Sequence, residues 1–110
     1  MDVIEREIHF YQTPGGEVPF QAWRNAQQDP IVRDLIRARL ARLRAGNFGD
    51  CKFIGQGLFE LRIFYGPGYR VYFGHVSARE LVILNAGDKD SQARDIQKAQ
   101  SYWADYRRRS

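Results

Sequence analysis

The stretch GLFELRIFYGPGYRVYF, residues 57–73, constrains the fold more than any other part of the chain. Two runs of alternating residues flank Gly66-Pro67-Gly68, and that pattern specifies a β-hairpin. Leu61, Ile63 and Tyr65 point to one side of the first strand, and Glu60, Arg62 and Phe64 to the other. In the second strand Tyr69, Val71 and Phe73 share one side, and Arg70 and Tyr72 the other. A three-residue loop pairs Tyr65 with Tyr69, Ile63 with Val71 and Arg62 with Tyr72, so both apolar sets fall on one face. A two-residue loop would mix the faces and bury an arginine. The expectation is a polar patch of Glu60, Arg62, Arg70 and Tyr72 on one side of the sheet. That patch reads in two ways. It is a solvated surface with cross-strand Glu–Arg pairs, or it is a place where two arginines beside a tyrosine hold a phosphate.

The rest of the chain supplies what the hairpin packs against. VIEREIHFY, residues 3–11, is strand-like, with Ile4, Ile8 and Phe10 on one parity. TPGGEVP is a loop, and Pro19 suits the start of a short helix whose one face carries Phe20 and Trp23. Asp29-Pro30 is a second start signal, with Asp29 as N-cap. The helix that follows runs to Gly46 and gathers Ile31, Val32, Leu35, Ile36, Leu40 and Leu43 on one broad face. Arg33, Arg37 and Arg44 lie opposite, as a solvated back or as a basic surface for RNA or an acidic partner. Residues 57–65, 69–76 and 81–86 read as three antiparallel strands, and ELVILNAG is apolar enough to be covered on both faces. Asp90 or Ser91 caps a last helix with Ala93, Ile96, Ala99, Trp103 and Tyr106 in its stripe, and Asp95 spaced to pair with Lys98. The order is β-α-α-β-β-β-α, an α+β arrangement. NAGDKDSQARD puts Lys89 in a loop at a helix N-terminus, where backbone N–H groups favour an anion or simply form a capped turn.

Composition narrows the class. A chain of 110 residues, 44% hydrophobic, fits one domain spanning 1–110. The formal net charge is +4, and the basic residues are fourteen Arg against three Lys. Arginine is the better residue for bidentate phosphate contact and for stacking on bases, which favours a nucleic-acid partner. One cysteine, Cys51, allows no internal disulfide. No spacing of Cys, His and carboxylates suggests a metal site, so neither metal nor cofactor is expected. No apolar run reaches the ~20 residues of a membrane span, and the start lacks a signal-peptide layout, so a cytoplasmic protein is expected.

The pattern G-L-x-E-L-R, then G-P-G-Y-R-V-Y-F, then G-D-K-x-x-Q-x-x-D-I-x-x-A resembles the phage-derived, HigB-like branch of the RelE/ParE toxin superfamily, the addiction-module killer proteins. The resemblance takes in the opening strand, PFQAW and the arginine-rich helix. It implies a RelE-like fold: a small curved antiparallel sheet packed against two N-terminal helices, with a C-terminal helix. It implies the toxin of a type II toxin–antitoxin pair, partnered by a helix-turn-helix antitoxin through which alone it meets operator DNA. RelE-like members cut mRNA in the ribosomal A site, whereas ParE-like members inhibit DNA gyrase; a degenerate, non-toxic member is a third case. By position, Arg62, Arg70, Tyr72 and Lys89 are the catalytic candidates. Arg70 binds phosphate, Arg62 meets transition-state charge, and Tyr72 and Lys89 share proton transfer. Lys52 and Glu60 belong beside them. Arg33, Arg37, Arg44, Arg94, Arg107 and Arg108 are candidates for meeting mRNA and rRNA. A terminal histidine used by some relatives has no counterpart.

Overall fold

The computed structural model describes residues 4–110; Val3, placed in the opening strand by its pattern, lies outside the described residues. The elements are β1 (Glu7–Phe10), α1 (Pro19–Ala26), α2 (Pro30–Arg44), β2 (Cys51–Gly55), β3 (Leu58–Ile63), β4 (Tyr69–Ser77), β5 (Glu80–Asp88) and α3 (Gln92–Arg109). One five-stranded sheet in the order β1-β5-β4-β3-β2 runs through the molecule. It is antiparallel except for β1, which pairs parallel with β5. The α+β class and the RelE-like layout hold, with an added edge strand, β2.

Both helix signals of α2 work as written. The Asp29 carboxylate accepts from the Ile31 N–H at 2.9 Å. At the other end the Gly46 N–H reaches Leu43 O and the Asn47 N–H reaches Arg42 O, and Gly46 takes the positive φ of 93° that this closure requires. Val32, Ile36, Leu40 and Leu43 are buried, but Ile31 is half exposed because it sits in the first turn, beyond the sheet's cover.

The sheet is covered on both faces. Phe20 of α1 and the apolar stripe of α2 pack with Leu61, Ile63, Val71, Phe73, Leu81, Ile83 and Ala86 on one side. On the other, Ala99 and Trp103 of α3 pack with Leu58, Tyr72, Val82, Leu84 and Tyr11. Close approach of α3 needs glycine beneath it: a Cβ on Gly74 would lie under 3.0 Å from carbons of the Trp103 ring.

The hairpin keeps the expected parity but not the expected register. Ile63 pairs with Tyr69, Arg62 with Arg70, Leu61 with Val71 and Glu60 with Tyr72. The shift is two residues, so faces are preserved. The Gly68 N–H closes on Tyr65 O at 3.0 Å, with Gly66 and Gly68 at positive φ, which takes Tyr65 out of the ladder. Tyr65 instead turns its hydroxyl to Asp29, 3.1 Å away.

Candidate functional site

Two cross-strand rows define the face beneath α3. Lys52, Glu60, Tyr72 and Asn85 form one, and Arg62, Arg70 and Gly87 the other. The expected polar surface patch is corrected here. Glu60 is 1% and Tyr72 0% exposed, because α3 closes over the inner part of this face. Only its outer part, toward the hairpin turn, stays open.

The buried part is bonded around the Glu60 carboxylate. The Tyr72 hydroxyl donates to Glu60 Oε2 at 3.2 Å, and the Gln92 side-chain amide donates to the same oxygen at 2.9 Å. Arg70 Nε lies 3.9 Å from it. Glu60 thus places its charge beneath Arg70, whose Nε makes no hydrogen bond, while α3 contributes Gln92, a residue that sequence patterning did not single out. Burial drives the Tyr72 hydroxyl well above the ordinary tyrosine range, and the nearby Glu60 charge adds to the rise. A phenol so placed neither reaches solvent nor gives up its proton readily. Tyr72, expected from position to share proton transfer, is thus closed off from the cleft by α3.

The open part is a cleft of about 350 Å³ lined by Phe64, Tyr65, Gly66, Pro67, Gly68, Arg70 and Lys89. Arg70 and Lys89 come together here from strand β4 and from the β5–α3 turn. Arg62 stands opposite Arg70 in the ladder and is partly exposed, its guanidinium bonded to Asp50 at 3.0 Å. Arg39 holds the local backbone in place by donating to Arg62 O at 2.6 Å. Lys52 is exposed on β2, one row further along.

The helix start near Lys89 takes the capped-turn form of the two expected, with Ser91 at the N-cap position. Asp88 Oδ1 accepts from the backbone N–H groups of Asp90 and Ser91, at 2.9 and 3.1 Å. The chain's own carboxylate thus closes the turn before α3, and Lys89 is exposed beside it and lines the cleft. Asp95 does not pair with Lys98. It turns inward, 6% exposed, and accepts from the Ser91 hydroxyl.

The remaining basic candidates are not part of the cleft. Arg33, Arg37 and Arg44 are exposed on α2, across the sheet from Arg70; Arg37 pairs with Asp34 at 3.2 Å. Arg107 lies over the Trp103 ring and Arg108 pairs with Asp105 at 2.8 Å, both at the far end of α3. Arg94 is exposed in the first turns of α3 and lines a separate pocket. Among the described residues no group of three or more His, Cys, Asp or Glu side chains is gathered as a metal site. No helix there is long and apolar enough to cross a membrane.

Residues 20–107 match the family model described as Phage derived protein Gp49-like (DUF891). The chain belongs to the Gp49-like family. This is a RelE-like toxin family, and a toxin of this kind implies an antitoxin partner. The Gp49-like match runs from α1 into the last turn of α3 and so includes Arg62, Arg70 and Lys89. The chain is also similar to a protein of Haemophilus influenzae (strain ATCC 51907 / DSM 11121 / KW20 / Rd) described as an uncharacterized protein. The two are 41% identical over 80 residues, which is 73% of this chain and 81% of the relative.

Proposed function

We propose that this Gp49-like protein is the HigB-like toxin of a type II toxin–antitoxin pair and cleaves mRNA at the ribosome. The observation that carries the reading is the cleft that Arg70, with the Glu60 carboxylate 3.9 Å from its Nε, lines together with Lys89. Two cations from different elements converge on a shallow, open groove, which suits a phosphate within a strand and not an enclosed small molecule.

The chemistry follows from the substrate. The ribose 2′-oxygen attacks the adjacent phosphorus, its proton leaves to a base, and the bond to the 5′-oxygen breaks as that oxygen gains a proton. The products are a 2′,3′-cyclic phosphate and a 5′-hydroxyl. Arg70 binds the phosphate and stabilises the charge that grows on its non-bridging oxygens, an effect that works best when the donor is pre-positioned. Lys89 is the proton-bearing group at the cleft and serves the leaving oxygen. Arg62, held by Asp50, adds positive potential from the neighbouring strand. Lys52 extends the basic track along β2 for the RNA backbone. Glu60 and Tyr72 act through Arg70. A groove this open binds a flexible strand poorly unless the strand is presented, which is the part assigned to the ribosome. Arg33, Arg37, Arg44, Arg107 and Arg108 are exposed on other sides and would meet rRNA there.

Induced expression without and with a co-expressed antitoxin tests the class of activity. Growth arrest with a fall in amino-acid incorporation, relieved by the antitoxin, supports the reading. Arrest with DNA breaks and intact incorporation would replace it with the ParE-like gyrase inhibitor, and unhindered growth with a non-toxic member.

A further inference from the structure

A second pocket of about 250 Å³ opens between α1, the end of β5 and α3. It is smaller than the roughly 300–1,000 Å³ usual for drug-sized ligands, so it suits one ring system. A β-bulge shapes it. Tyr72 pairs with Asn85 but Phe73 with Ile83, so Leu84 is an extra residue, and Asn85 is swung to the α3 side.

The walls hold acceptors that lack donors. Asn85 is 5% exposed and lines the pocket; its Nδ2 donates to Asp95 O at 3.0 Å, and its Oδ1 has no partner. The Nδ2 bond to a carbonyl fixes which end of the amide is the oxygen. Asp95, 6% exposed, accepts the Ser91 hydroxyl and has no cation within ion-pair distance among the described residues. A carboxylate has about four acceptor sites, so most of its capacity is unspent. Trp23 and Tyr102 supply aromatic walls from α1 and α3, and Arg94 and Lys98, one turn apart and exposed, stand at the rim.

We infer that this pocket binds a guanine base whose nucleotide phosphate meets Arg94 and Lys98. Two acceptors lining one small pocket ask for two donors on one ring, and guanine alone among the four RNA bases presents a ring N–H beside an amino group. The aromatic walls take its faces, and the rim cations take the phosphate. Asp88 lines this pocket while its neighbour Lys89 lines the cleft, and Gly87 pairs with Arg70 in the sheet. As the partner of the cleavage cleft, a role that rests on the nuclease reading, the pocket selects RNA with guanine close to the cut phosphate.

The test is calorimetric titration of the full-length protein with guanosine 5′-monophosphate, with inosine, adenosine and uridine monophosphates as comparisons. Backbone and indole NMR shifts are followed in parallel. Saturable binding that moves the Trp23 indole is expected, with inosine monophosphate, which lacks the amino donor, weaker by about tenfold. Asp95→Asn is expected to lose about tenfold, and Lys98→Ala, an exposed change that leaves the fold intact, to weaken binding and flatten its salt dependence. Equal binding of all four nucleotides, or guanosine monophosphate binding untouched by Lys98→Ala with no shift at Trp23, would overturn the assignment. Because binding is read without ribosomes or cleavage, the pocket and the nuclease can each fail separately.

Discussion

The Tyr72 hydroxyl donates to Glu60 across β3 and β4 at 3.2 Å, with both side chains closed off from water by α3. Both are buried, and the Glu60 carboxylate lies 3.9 Å from Arg70 Nε. Tyr72→Phe removes one donor from a buried carboxylate and is expected to cost about 1–3 kcal/mol in urea unfolding. Toxicity should persist at reduced strength, since the phenol touches no substrate. Complete loss of toxicity in a well-folded Tyr72→Phe protein would return Tyr72 to the chemistry.

Arg70→Ala is expected to be destabilising as well as inactive. It strands Glu60, whose side chain is 2% exposed, without its cation, and breaking such a pair costs about 3–5 kcal/mol. Arg70→Lys keeps the charge but loses the planar fork. Comparing the two by urea midpoint and by toxicity separates folding from phosphate binding. An Arg70→Ala protein as stable as the parent would show that Glu60 does not depend on Arg70.

Much of this was visible in the sequence. The Asp29-Pro30 start, the Gly46 stop and the hairpin parity follow from local rules, and local contacts enforce them. β2 was hidden because CKFIG is short and sits at an edge, where little burial shapes its pattern. The hairpin register is not fixed by the local pattern, because Gly66 and Gly68 allow either a tight or a wide turn; the wide one is accompanied by Tyr65 reaching Asp29. The burial of Glu60 and Tyr72 depends on α3, which is remote in sequence. Asp95, spaced with Ile96, Ala99 and Trp103 on one stripe, was the available sign that α3 carries polar residues inward. Gly74 and Gly87 marked where it lands.

Gly74→Ala tests that landing. The added methyl would overlap the Trp103 ring, which can move only by giving up its bond from Nε1 to Gln56 O at 2.6 Å. A loss of about 1–3 kcal/mol is expected in chemical denaturation. An unchanged midpoint would mean that α3 is less tightly seated.

At the far end of α3, Tyr11 donates to Asp105 Oδ2 at 2.6 Å, and Arg109 pairs with the same carboxylate. The Tyr11 bond and the neighbouring arginines hold the Asp105 carboxyl below its usual value. Burial, with Asp105 adding to it, holds the Tyr11 hydroxyl above its own. A depressed carboxyl contributes stability above its unfolded value, about 3.9, and loses it as pH falls through the lower folded value. A raised phenol contributes below about 10 and loses it as pH rises through the higher folded value. The gap in melting temperature between the parent and Tyr11→Phe should therefore be widest between these limits and narrow on both sides. A gap that does not vary with pH would rule out the linkage.

Cys51 is half buried, its thiol directed to Phe48 O at 3.1 Å, and burial pushes its pKa up to about 11. At neutral pH the thiolate is scarce, so iodoacetamide should label the native protein far more slowly than the urea-unfolded chain. Equal rates would show that the β2 edge opens freely.

The most direct measurement is in-vitro translation of one defined mRNA, with and without the purified protein, followed by primer extension. New 5′ ends that appear only on translated message, and that disappear with Lys89→Ala, are the expected result. Lys89 is exposed, so its loss leaves the fold intact. Uncut message on actively translating ribosomes at saturating protein would contradict the nuclease assignment.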